Sequence, residues 1–213
     1  MKRLFTLLVA FTVSYLAMAQ IDAKSKEILS KAAIKTKNYT SISATFDITI
    51  ENLQAQTKEL HDGSIEVKGE KYHLKLVNSE SFFDGKIVMT FMPDAKEVNV
   101  SEPDANDENV LNPAKIFSLY EKGFKAQYVG EQKDGSKTIQ EIHLFPESHT
   151  KPYSRIKIFV DGESNISKIE QVGKDGNNIT VKIKKFTVNQ PIDDSAFIFN
   201  AAKNPGVDII DLR

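Results

Sequence analysis

SFFDGKIVMTFMPDAKEVNV, residues 81–100, is the stretch on which the fold turns. It reads as two short strands joined by turns and rich in large apolar side chains, with Asp84-Gly85 and Pro93-Asp94 supplying the breaks. Outward from it the same texture continues. Strict alternation occurs in Phe46-Asp47-Ile48-Thr49-Ile50-Glu51, Ser64-Ile65-Glu66-Val67-Lys68 and Tyr72-His73-Leu74-Lys75-Leu76. It returns in Arg155-Ile156-Lys157-Ile158, Ile166-Ser167-Lys168-Ile169 and Asn178-Ile179-Thr180-Val181-Lys182-Ile183-Lys184. Every second residue is apolar, so each strand has one dry and one wet face.

Turn signals fall between these runs at Asp62-Gly63, Lys68-Gly69, Asp84-Gly85, Asp134-Gly135, Asp161-Gly162 and Asp175-Gly176. So many short strands at this spacing predict an antiparallel meander, because a parallel sheet would need a crossover for each strand pair. Two helices are expected. One spans Asp22–Asn38, with Ile28, Leu29, Ala32 and Ala33 at helical spacing. The other spans Asn112–Gly123, capped by Asn112, opened by Pro113 and stopped by Gly123. The expected fold is α+β and mainly β: a large curved antiparallel sheet whose concave face is covered by two or more helices, the other face being left to solvent. The tail from Asn204 to Arg213 reads as a last edge strand or as a docked extension.

Lys2 and Arg3 precede an apolar run from Leu4 to Leu16 that closes on Ala17-Met18-Ala19. This is the pattern of a secretory signal peptide over residues 1–19, cleaved before Gln20, and the run is too short for a membrane span. Residues 20–213 then form a single domain, with no linker to mark a second. The chain carries a net charge of −1, and losing Lys2 and Arg3 makes the exported form more acidic. Such a balance offers nucleic acid or an anionic membrane no electrostatic attraction. With no cysteine there can be no disulfide, thiolate catalysis or Cys-ligated metal.

No catalytic constellation is present: no nucleophile elbow, no H-E-x-x-H and no phosphate loop. His143, Glu147 and His149 lack a regular ligand spacing, and the acidic run Glu102–Glu108 lacks the glycine of a calcium loop. Neither an enzyme nor a cofactor is expected. What remains is a surplus of bulky apolar side chains, including Phe46, Ile48, Ile50, Leu74, Phe82, Phe83, Ile87, Met89, Phe91, Ile116, Phe117, Tyr120 and Phe124. A half-open sheet under a helical cover can hold an apolar cavity, and the flexible Met89 and Met92 suit an irregular apolar ligand.

Two motifs carry a resemblance. Ser41-Ile42-Ser43-Ala44-Thr45-Phe46 follows the first helix, and Asp84-Gly85-Lys86-Ile87-Val88-Met89-Thr90-Phe91-Met92-Pro93 follows later, with Glu97 beyond it. In order and spacing the chain resembles outer-membrane lipoprotein carriers of the LolA type over roughly residues 24–100. The resemblance implies an incomplete β-barrel closed by helices and a periplasmic location. Its implied partners are an acylated lipoprotein cargo, an inner-membrane ABC-type releasing complex and an outer-membrane acceptor, served by a monomer. The lipid-binding residues it implies are Phe46, Ile48, Ile50, Leu74, Phe83, Ile87, Met89 and Phe91, with Ile116, Phe117 and Tyr120 on a lid helix. The chain departs from the family in three places. Met89 stands where the family has Trp, and Phe91 or Met92 where it has Tyr. The family's latching Arg has no counterpart in Lys71-Tyr72-His73-Leu74, where Tyr72 or His73 could take its place. A lipid-binding sensor of the same fold, a carrier of another hydrophobic molecule and an unrecognised hydrolase are the alternatives.

Overall fold

The computed structural model describes residues 23–103 and 123–213. The expected leader and the expected helix at Asn112–Gly123, with Ile116, Phe117 and Tyr120, lie outside them, apart from Gly123.

Helix α1 covers residues 23–37. The strands that follow are β1 (Ile42–Asn52), β2 (Thr57–Lys68), β3 (Lys71–Leu76), β4 (Ser79–Phe83), β5 (Val88–Met92), β6 (Glu97–Ser101), β7 (Phe124–Asp134), β8 (Lys137–Pro146), β9 (Tyr153–Asp161), β10 (Ile166–Gly173), β11 (Asn177–Val188) and β12 (Asp208–Asp211). They form one sheet in the order β12-β6-β5-β4-β3-β2-β1-β11-β10-β9-β8-β7. The terminal strands β12 and β7 do not pair with each other, so the barrel is incomplete.

The opening stretch holds three strands rather than two: the end of β4, all of β5, and β6 up to Val100. Asp84 makes the first break, its carboxylate accepting from the Lys86 and Ile87 amides at 2.8 and 3.0 Å, with Gly85 at φ 97°. Asp62-Gly63 is not a turn but lies inside β2, opposite Phe46. The reason is close approach: a Cβ on Gly63 would fall 2.3 Å from Phe46 Cε2, so the glycine makes room for the ring.

Side chains opposite one another in a ladder share a face, so register assigns the faces. Ala44, Phe46 and Ile48 of β1 share a face with Ile65 of β2, Leu74 of β3 and Val181 of β11. Through Ile169 and Ile158 the same face continues to Ile142 and Leu144 of β8, where Ile28 and Leu29 of α1 pack. This is the inner face.

The other face is not all left to water. On β4, β5 and β6 the outer side carries Phe82, Met89, Phe91, Val98 and Val100. After β11 the chain crosses the sheet from one end of the strands to the other through two 3-10 turns, Asp194–Phe197 and Ala201–Lys203, and lays Phe199 on that cluster. It then enters β12 alongside β6. Having crossed the full length of the sheet, it runs the same way as β6, which makes this one pairing parallel. The tail is therefore an edge strand preceded by a docked extension.

Candidate functional site

The apolar inner wall is built by alternation on the central strands. Phe46, Ile48 and Val181 are buried, and Ile65, Leu74, Leu76, Ile179 and Ile183 pack against them. Ile50 extends this row to the end of β1, where it is 40 % exposed. Phe83 joins the same face opposite Tyr72, their rings 5.4 Å apart. So Phe46, Ile48, Ile50, Leu74 and Phe83 share one face.

Ile87, Met89 and Phe91 do not join them. Register turns Met89 and Phe91 to the outer face opposite Val100 and Val98, where all three pack on the cluster that includes Phe82 and Phe199. Phe199 lies 5.0 Å from Phe91 and 5.9 Å from Phe82, ring to ring. On the inner side the same strands carry a polar row, Ser81, Thr90 and Asn99, directly opposite one another. Ser81 Oγ and Thr90 Oγ1 are 3.4 Å apart. The interior is therefore amphipathic: largely apolar on β3, β1, β11, β9 and β8, interrupted by His61 and Glu59 of β2 opposite Ile48 and Ile50 and by Gln171 of β10, and studded with hydroxyls and an amide on β4–β6.

The possible latch residues separate in the same way. Tyr72 faces inward, while His73 faces outward, stacked on Phe82 at 4.2 Å and bonded to Glu80 at 3.1 Å. Burial pushes the Glu80 carboxyl up, but bonds from Lys75 and His73 outweigh it and hold it below its ordinary value. On β9 and β10 the outer face is a charged layer in which Lys157 and Lys168 donate to Glu170 at 2.8 and 2.6 Å. Burial likewise raises Glu170, and the two lysines overcome it. Among the described residues no three of His, Asp or Glu gather as metal ligands; His143 is bonded to Glu141 at 2.7 Å instead.

The C-terminal extension is anchored by charge. Asp194 accepts from Lys68 at 2.8 Å and Lys71 at 2.7 Å, and these bonds hold its carboxyl down at about 2. Phe197 beside it is fully buried. Sequence reasoning missed Phe197, Phe199, Val98 and Val100 as a second core. The available signal was the apolar run Ala196-Phe197-Ile198-Phe199 after the capping Asp193, whose side chain accepts from the Ser195 amide.

The family model described as outer membrane lipoprotein carrier protein LolA matches residues 78–200, more than half of the chain. The chain belongs to the LolA family. The match takes in the Asp84–Pro93 motif and the C-terminal extension as far as Asn200, whereas the Ser41–Phe46 motif lies outside it. Among solved structures, a conserved protein of Thermus thermophilus superposes with a TM-score of 0.59 at 8 % identity, covering 88 % of this chain and 99 % of that one. A lipoprotein-sorting protein domain of Vibrio parahaemolyticus gives a TM-score of 0.48 at 11 % identity, covering 83 % and 97 %. A LolA superfamily protein of Nitrosomonas europaea gives 0.44 at 11 % identity, covering 82 % and 97 %. The Thermus likeness establishes the shared fold. No curated protein matches the chain. Among the described residues of this LolA family member no helix is long and apolar enough to cross a membrane.

Proposed function

We propose that this chain binds hydrophobic ligands along the inner face of its half-open barrel, and that it is a non-enzymatic carrier of lipoproteins. In this reading it is exported by cleavage before Gln20 and acts as a monomer in the periplasm. It takes acylated lipoproteins from an inner-membrane ABC-type complex and passes them to an acceptor at the outer membrane. The observation that carries the reading is the amphipathic interior: an apolar cluster on the central strands on the same face of the sheet as Ser81, Thr90 and Asn99. Membership of the LolA family supports it.

Burying one sixteen-carbon chain recovers about 12 kcal/mol at about 0.8 kcal/mol per methylene, enough to hold a lipid that water would reject. Release then requires that opening the empty carrier offset part of this gain. Within the apolar wall, Phe46, Ile48, Ile50, Leu74 and Phe83 are the proposed acyl contacts. Ile87, Met89 and Phe91 contribute by fixing β5 against the C-terminal extension. The test is native mass spectrometry of the protein purified from the periplasm of its own cells. A triacylated lipoprotein in the complex is the expected result. An empty protein, together with lipoproteins correctly sorted after its depletion, would overturn the reading.

A further inference from the structure

One buried group in the inner wall is unexplained by packing. Tyr153, the first residue of β9, is only 4 % exposed, and its hydroxyl is buried with no hydrogen-bond partner among the described residues. Its ring belongs to the inner-face cluster with Ile28, Leu144 and Ile156, and lies parallel to Phe124 with the centroids 6.4 Å apart. A phenylalanine would keep these contacts. The hydroxyl adds only an unmet polar group, which is costly in an apolar setting. Most buried polar atoms in folded proteins are paired, so this exception calls for a partner that arrives later.

Its position narrows the class of partner. Register sets Tyr153 opposite Gly173, so no side chain from β10 stands beside the ring there. The next inward rank toward the centre of the sheet runs Ile156, Gln171, Ile179 and Ile50 across β9, β10, β11 and β1. Tyr153 therefore stands at the same strand ends as Ile50, the exposed end of the apolar wall. Burial pushes the phenol up from its ordinary value, which keeps it a neutral donor. A charged ligand group would be stripped of water beside Ile156, Ile179 and the neutral amide of Gln171, whereas a carbonyl attached to a long alkyl chain satisfies both the donor and its surroundings.

We propose that the Tyr153 hydroxyl donates a hydrogen bond to the ester or amide carbonyl of an acyl chain held on the inner face, so that the site recognises acyl linkages and not merely hydrocarbon. The inference rests on the carrier reading and specifies its ligand. The test uses the full exported chain, stripped of bound lipid, as wild type and Tyr153→Phe. Two probes of equal length serve: a pyrene-labelled sixteen-carbon methyl ester and the corresponding pyrenyl alkane. Wild type is expected to bind the ester about five- to tenfold more tightly than the alkane, the range of one neutral hydrogen bond. Tyr153→Phe should lose that preference, keep its alkane affinity and melt no lower than wild type. The carbonyl stretch of the bound ester should shift to lower frequency in wild type and return in the variant. An unchanged ester preference in Tyr153→Phe would overturn the proposal, as would a variant that melts markedly lower, since the hydroxyl would then have a partner within the protein. If wild type bound neither probe, the carrier reading itself would fall, and this inference with it.

Discussion

Gly63 and Phe46 form a matched pair: the ring occupies the place where any side chain at position 63 would stand. Gly63→Ala should therefore lower stability by about 1–3 kcal/mol through overpacking. Adding Phe46→Leu should recover part of it, because the smaller residue vacates the contact. Urea unfolding of both single variants and the double variant would measure the coupling, and simple additivity would contradict the contact. Ile50 poses the opposite case, being on the same face but at its exposed end. Ile50→Glu should weaken binding of an acyl probe tenfold or more while shifting the melting temperature little, since the charge can reach water when the site is empty. Equal loss of fold and binding would place Ile50 in the ordinary core.

At the level of elements, the C-terminal extension is a strap over the outer face of β2–β6, held by Asp194 at one end and by Phe197 and Phe199 along its length. Because the folded carboxyl of Asp194 sits at about 2 against an ordinary 3.8, its contribution is present above pH 4 and is lost as the pH falls through about 2. Pepsin cutting at Phe197 or Phe199 should accordingly rise steeply below about pH 3 in the wild type. Asp194→Asn should already be cut at pH 4, and identical profiles would show that the ion pairs do not hold the strap. Phe197→Ala should destabilise by about 3–5 kcal/mol, the range for a fully buried aromatic, read from chemical unfolding. That β4–β6 needed a cover on this side follows from their alternation, since Phe82, Met89, Phe91, Val98 and Val100 would otherwise be an exposed patch.

For the whole molecule, the open sheet with an inner face of mixed apolar and polar side chains is what suits the proposed reversible carrier. A closed barrel would admit an occupant only through its mouth, and a uniformly apolar interior would disfavour the polar part of an acylated cargo. Most of the strands, the first helix and most turns were legible beforehand, because alternation at period two and aspartate-glycine pairs are local properties of the chain, whereas β7 and β8 were not read. Asp62-Gly63 misled for a non-local reason: the ring that needs the glycine comes from β1, and only the pairing of Phe46 with Gly63 reveals it. The stretch from Ser81 to Val100 shows the division most plainly. Its apolar content and its turns at Asp84-Gly85 and Pro93-Asp94 follow from composition and local backbone preference alone. In Val88-Met89-Thr90-Phe91-Met92, however, both alternating sets contain apolar residues, so nothing local says which set faces in. That choice belongs to the ladder with β4, and through β3 and β2 to Phe46, because a strand's faces are set by what it pairs with. The pairing sends Met89 and Phe91 outward, where Phe199 arrives from more than a hundred residues away, and leaves Thr90 beside Ser81 and Asn99 on the inside.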